Sequence, residues 1–159
     1  MGQSKRGVKN KKPRPRPASR ARPVCELCQQ TGGEVLWRDK RCRVVLVAEP
    51  YYAGFCRVIW NDHVREMTDL SATDQRHCMR VVLAVEQALR GVLKPHKINL
   101  ASLGNMTPHV HWHVIPRTTR DAHFPNPVWG KKLRAGQRGA RSSVIRLRTR
   151  LAAELLNLL

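Results

Sequence analysis

The chain has 159 residues, enough for one domain and little more. It carries 30 Lys or Arg against 11 Asp or Glu, a formal net charge of +19. No apolar run is long enough to span a bilayer, and no apolar stretch follows the basic N-terminus as a secretory signal requires; neither an integral membrane protein nor a secreted one is expected. The charge is uneven. Residues 1–24 hold nine basic residues and no acid, residues 25–116 eleven basic and nine acidic, and residues 117–159 ten basic and two acidic. A near-neutral body therefore stands between two basic arms. Such charge implies an anionic partner without distinguishing a nucleotide, a nucleic acid or a membrane surface. The five cysteines (Cys25, Cys28, Cys42, Cys56 and Cys78) are too sparse for a disulfide framework and fit a reducing cytoplasm.

In residues 1–24 Arg and Pro alternate and almost nothing is apolar, so a disordered arm is expected, either a tether for polyanions or a solvated tail. Strand patterns follow at 35–37, 43–47 (RVVLV) and 54–60 (GFCRVIW), with turn signals at Glu49-Pro50 and Asn61-Asp62. Their β-branched content favours strand over helix. Ser71 and Asp74 then mark a helix start. Cys78, Val82, Val85, Leu89 and Val92 recur at spacings of four and three, one apolar face of a helix of about five to six turns. Gly91 and Pro95 mark its end. Further strands are expected at 98–103 and 109–115. Residues 117–142 read as irregular and basic. Val144, Leu147, Leu151, Leu155 and Leu158 return to helical spacing behind the potential caps Ser142 and Ser143, giving a last helix that packs on the body or on another chain. No internal repeat is visible.

The segment 109–115 (HVHWHVI) carries the most chemistry. Strand alternation puts Val110, Trp112 and Val114 on a buried face and His109, His111 and His113 on the other, about 6.6 Å apart at about 3.3 Å per residue. Imidazole, with an ordinary pKa of about 6.5, serves as nucleophile, proton donor or metal ligand. Three readings compete: a metal site, a His-rich surface strand, and phosphoryl or nucleotidyl transfer through histidine. Three of the seven histidines in one alternation argue against a chance surface strand.

Gly104, Pro108, His109, Val110, His111, Trp112, His113, Val114 and Ile115 (G-x-x-x-P-H-V-H-W-H-V-I) resemble the signature of the histidine-triad (HIT) family of nucleotide hydrolases and transferases. The resemblance runs over much of residues 25–117, through the CELC segment, the turn 60–63, the long helix and Asn99. It implies that His111, the middle histidine, attacks the α-phosphorus of a nucleoside phosphate derivative of the dinucleoside polyphosphate or phosphoramidate type. A nucleotidyl-histidine intermediate forms and water releases the nucleoside monophosphate. His113 would contact the phosphate or the leaving group. Donors around Gly104, Asn105 and Thr107 would hold phosphate oxygens, with glycine allowing close backbone approach to an anion; Asn105 and Thr107 read equally well as turn residues. Asn99 is a further polar contact that the family pattern suggests. One position departs from the pattern. The family carries an acidic residue for the ribose hydroxyls near the end of the second strand, where this chain has Val47; Glu49, two residues on, is the nearest carboxylate.

Cys25-Glu26-Leu27-Cys28 has zinc-knuckle spacing but is half a site. Zinc-bearing members of the family, and the related galactose-1-phosphate uridylyltransferases, complete such a pair with two histidines; carried onto this chain these are His63 and His109. A set of four protein ligands implies structural zinc, since no position stays open for chemistry. The alternative is a pair of reduced thiols, with His109 only orienting His111.

In the basic third, Phe124 and Trp129 either stack on a base or anchor their loop to the body, and Arg117 either adds charge near a polyphosphate or pairs on the surface. The expected fold is α+β: an antiparallel sheet of about five strands, a long helix across it and a C-terminal helix. The expected organisation is a basic arm over 1–24, a catalytic domain over 25–117 and a basic extension over 118–159. The expected function is a nucleotidyl hydrolase or transferase, a homodimer by resemblance, in the cytoplasm and with no membrane partner. The alternative is a nucleic-acid-associated nucleotide-binding protein that uses its basic arms and acts on adenylylated ends.

Overall fold

Five short strands pair antiparallel throughout, in the order β1-β2-β3-β5-β4: β1 (Glu34–Arg38), β2 (Cys42–Leu46), β3 (Cys56–Trp60), β4 (Lys97–Ala101) and β5 (His111–Arg117). The structure, a computed structural model, describes residues 25–138 and 143–156. The expected arm at 1–24, the cap Ser142 and Leu158 lie outside the described residues. Three helices complete the fold: α1 (Glu26–Gln29), α2 (Ala72–Leu93) and α3 (Ser143–Leu156). The α+β architecture is the expected one. No helix among the described residues is long and apolar enough to cross a membrane.

Local chemistry explains the joints. Asp39 turns β1 into β2 because its Oδ1 accepts from the backbone N–H of Arg41 and Cys42, at 2.8 and 2.7 Å. Ser71 caps α2, its Oγ accepting from Asp74 N at 3.1 Å, and α2 begins where the sequence places it. It ends later than Gly91 suggested. The helix runs through Gly91 to Leu93, and Lys94 in the left-handed region (φ 46) closes it just before Pro95. Gly54, at φ 82 before β3, is required twice over: a Cβ there would stand 2.5 Å from Leu93 and 3.0 Å from Leu89.

Strand alternation sorts the sheet into two faces. Val44, Val58 and Val114 point to the main core, where Cys78, Val81, Val82, Val85, Ala88 and Leu89 of α2 cover them. Leu147, Leu151 and Leu155 bring α3 onto α2 and β1. The buried stripe of α2 is wider than its periodicity predicted, because the helix packs on the sheet along one flank and on α3 along the other. The opposite face of the sheet is buried too. Cys25 and Leu27 cover Val45 and Ile59, while Tyr52 and Phe55 cover Ile115. The functional side chains lie on this second face.

Candidate active site and metal centre

Register sets the row of histidines. His111 stands opposite Ile59 and His113 opposite Arg57 across the β3–β5 ladder. Trp112 and Val114 turn toward the main core, as alternation requires. The histidine face, however, is not the open one expected. His109, His111 and His113 are 1%, 6% and 6% exposed. Their cover comes from distant segments. Phe55 of the β2–β3 loop lies 5.6 Å from the His113 ring, and Trp129, from beyond β5, lies 5.1 Å from it.

Burial also sets the charge state of the row. It pushes all three imidazoles below their ordinary pKa, and it brings His113 to about 4, with His111 and the Arg57 guanidinium adding to the effect. The Nδ1–H of His111 donates to the His109 carbonyl at 2.6 Å. A carbonyl only accepts, so the proton of the neutral ring sits on Nδ1 and the lone pair on Nε2. The His111 ring meets the His113 ring edge-on at 4.9 Å.

His109 stands just before β5 and faces the other way along the row. Its Nε2–H donates to the Trp60 carbonyl at 2.7 Å, which leaves the Nδ1 lone pair aimed at Cys25 Sγ and Cys28 Sγ, each 3.5 Å away. His63 Nδ1 is 3.4 Å from Cys28 Sγ. The four donor atoms of Cys25, Cys28, His63 and His109 all lie within 4.8 Å of one another. A tetrahedral zinc with two S and two N ligands needs donor separations of about 3.3–3.8 Å, so the set fits with little movement. A second group, Asp39, Cys42 and His77, also converges. Here Asp39 Oδ2 already binds His77 Nε2 at 2.7 Å, tying the β1–β2 turn to α2, and burial pushes the Cys42 thiol upward.

The other expected contacts are distributed around this row. Gly104 and Asn105 line an open groove with His109, Ser102, Arg65 and Glu66. Thr107 closes the following turn, its carbonyl accepting from His109 N at 2.8 Å. Ser102 Oγ–H donates to the His111 carbonyl at 3.0 Å, joining the loop to the histidine strand. Gly104 has neither a positive φ nor a crowded Cβ position; the nearest atom a Cβ would meet is Pro108 Cα at 3.8 Å. Asn99, opposite Ile115, accepts at its Oδ1 from Arg117 Nη1 at 2.6 Å. Glu49 caps its own turn, its Oε1 accepting from Tyr51 N at 3.3 Å.

Arg117 is paired, but in the interior rather than on the surface. It is 2% exposed, donates to both oxygens of Asp121 at 2.7 and 2.9 Å, and lies between the Tyr52 and Phe124 rings. Burial pushes the Asp121 carboxyl up, but Arg117 and the N–H groups of His123 and Phe124 outweigh it, and the group falls below its ordinary range. This hub fixes the segment that carries Trp129. Arg57, a lone cation inside the apolar run CRVIW, stands across the ladder from His113 and was not singled out from the sequence.

The family model of the HIT domain matches residues 29–120, more than half of the chain, and the chain belongs to this family of histidine-triad proteins. A curated relative from Mycobacterium tuberculosis, an AP-4-A phosphorylase, is 30% identical over 124 residues. That match covers 73% of this chain and 64% of the relative, so the chain spans less than two thirds of the relative's length. Among solved structures, a histidine triad protein from Bradyrhizobium japonicum aligns with a TM-score of 0.63 at 26% identity, over 76% of this chain and 90% of that one. A Zn-bound histidine triad family protein from Mycobacterium smegmatis shares the fold, with a TM-score of 0.60 at 21% identity over 82% and 94% of the two chains.

Proposed function

We propose that the chain is a nucleotidyl hydrolase or transferase that works through a covalent nucleotidyl-histidine intermediate on His111. The observation that carries this reading is the bond from His111 Nδ1–H to the His109 carbonyl, which presents a neutral Nε2 lone pair beside a second histidine. Nε2 attacks the α-phosphorus of a nucleoside phosphate derivative, the bond to the leaving group breaks, and the leaving group keeps the electron pair. The ring becomes cationic as the N–P bond forms, and the carbonyl at Nδ1 is placed to stabilise that charge. An acceptor, water or inorganic phosphate, then attacks phosphorus; the N–P bond breaks and returns its electron pair to Nε2, and an attacking water releases its proton to solvent. The phosphate acceptor is suggested by the phosphorylase relative. His109 positions His111, and His113 faces the leaving group. Gly104, Asn105 and Thr107 hold phosphate oxygens, and Asn99 and Glu49 complete the nucleotide contacts.

Cys25, Cys28, His63 and His109 would hold a structural zinc, as the geometry of the donors and the Zn-bound relative support. When bound, the ion would tie the segment before β1 to the start of the catalytic strand, with no position open for substrate. Within this reading the protein works in the cytoplasm as a homodimer, and its basic termini hold nucleic acid without sequence preference; the net charge of +19 supports the last point.

The test is intact mass spectrometry after incubation with a dinucleoside polyphosphate and rapid quenching. A single nucleotidyl adduct that maps to His111 is expected. Its absence from the wild type, or normal turnover by His111→Ala, overturns the mechanism.

A further inference from the structure

Arg43 lies on β2, opposite Ile59 of β3 and opposite Arg38 of β1. Its strand neighbours Cys42 and Val44 point into the main core, so its side chain leaves the sheet on the second face, with Val45. There it meets the segment that carries the cysteine pair. Its Nη2 donates to the Leu27 carbonyl at 2.6 Å and to the Gln30 carbonyl at 3.2 Å, and its Nε–H donates to the Thr31 carbonyl at 3.0 Å. Its Nη1 reaches the other way, donating to Asn61 Oδ1 at 3.2 Å. Among the described residues, no carboxylate pairs with Arg43.

These bonds join the two halves of the donor set. Leu27, Gln30 and Thr31 belong to the segment around Cys25 and Cys28, and Asn61 stands just before His63 in the chain. Asn61 is itself fixed: its backbone N–H donates to the Arg41 carbonyl at 2.8 Å, and its Nδ2 donates to the Asp39 carbonyl at 3.1 Å. The adjacent Trp60 carbonyl orients the His109 ring. The supports of the sulfur donors and of a ring donor therefore meet at Trp60 and Asn61. The cysteine segment is weak by itself. Its helix α1 has four residues, no side-chain cap, and Leu27 as its buried residue, far short of a length that is stable alone. A guanidinium suits the task, because its planar fork fixes several donors in set directions, whereas an ammonium is a point charge.

Resting on the structural-zinc reading, we propose that Arg43 is the positioning residue of this metal centre: its guanidinium holds residues 25–31 at the distance from His63 and His109 that an ion needs, before any ion is bound. Groups that orient metal ligands from behind typically contribute about 10–100-fold to affinity. With the segment already in place, the entropy of ordering it falls on folding rather than on binding.

The experiment compares metal-free wild type, Arg43→Met, Arg43→Lys and a control, Arg38→Met, whose exposed side chain lies across the ladder from Arg43. Zinc affinity is read by competition with a chromophoric chelator. Arg43→Met is expected to bind zinc about 10–100-fold more weakly than wild type, and Arg38→Met within about twofold of it. Arg43→Lys keeps the charge and loses the fork, so it should recover less than about half of the loss on a logarithmic scale. Amide exchange reads the position without metal. The N–H groups of Cys28, Gln29 and Gln30 bond to carbonyls of Cys25 and Glu26. In metal-free wild type they should exchange slowly, in metal-free Arg43→Met about tenfold faster or more, and zinc should restore their protection. An arginine that only stabilises the fold would lower the melting temperatures of the metal-free and zinc-bound forms alike and leave zinc affinity unchanged. Unchanged affinity in Arg43→Met, full recovery in Arg43→Lys, or equal exchange in the metal-free proteins overturns the proposal. If Arg43→Met does not fold, Arg43→Lys decides, and wild-type affinity or exchange in that variant overturns it. If the wild type binds no zinc, the structural-zinc reading fails instead, and the exchange comparison still decides whether Arg43 holds the segment.

Discussion

His109 holds His111 by its backbone and faces Cys25 and Cys28 with its ring: the His111 Nδ1–H donates to the His109 carbonyl at 2.6 Å, and the His109 Nδ1 lies 3.5 Å from both sulfurs. One residue thus joins the candidate metal ligands to the proposed nucleophile.

The first prediction follows from that joint. Protein purified without chelator should carry about one zinc per chain. Cys28→Ser should hold less than about a tenth of an equivalent, melt about 5–10 °C lower and lose turnover in parallel. Elemental analysis and calorimetry measure both quantities. Wild-type protein without zinc would remove the structural-metal reading.

Gly104 isolates a ligand contact from folding. Neither its backbone angle nor its packing requires glycine, so Gly104→Ala should melt within about 1–2 °C of wild type. If phosphate oxygens approach the backbone there, the added methyl should lower kcat/KM by about tenfold. Unchanged kinetics would mean that phosphate does not come close to this loop.

His113 makes stability depend on pH. Its folded pKa is about 4, and its unfolded value is about 6.5. Between those values the unfolded chain binds more protons, so the contribution of His113 to stability is full above about pH 6.5 and is lost as pH falls toward 4. The limiting slope for one proton is about 1.4 kcal/mol per pH unit. Urea midpoints for His113→Gln should fall less steeply over this window than those of wild type, by up to that slope. Identical slopes would show that His113 does not titrate differently in the two states.

The Arg117–Asp121 hub predicts both stability and accessibility. Asp121→Ala leaves a buried guanidinium without its carboxylate and should cost about 3–5 kcal/mol. Residues 118–138, which depend on the hub, should become the first segment that protease cuts. Adding Arg117→Met to Asp121→Ala should recover part of the loss, because the unpaired charge is then gone. A double variant less stable than the single one would contradict this account.

Much of the fold was legible because it follows local patterns. RVVLV and CRVIW became β2 and β3, the Ser71 cap opened α2, and the alternation of HVHWHVI divided Trp112 from His111 and His113 as expected. What the sequence concealed depends on segments distant along the chain. Phe55 and Trp129 pack on His113, and no pattern within residues 109–115 encodes their arrival. Arg117 reads from the sequence as a charge near a polyphosphate or a surface pair, because only the fold brings Asp121, Asn99 and two rings around it. The convergence of CELC with His63 and His109 was reached through family resemblance, not through spacing.

The donor set at Cys25, Cys28, His63 and His109 also bears on the order of events during folding. Its cysteines lie 35 to 84 positions from its histidines along the chain, and the two histidines flank the β3–β5 pairing. Local segments fold early, whereas closing such long loops is slow. The four donors come together only when β3 and β5 pair, so capture of the proposed ion would come late in folding. In the proposed zinc protein, a chain with all four donors on the ion would have completed the long-range pairing that also positions His111.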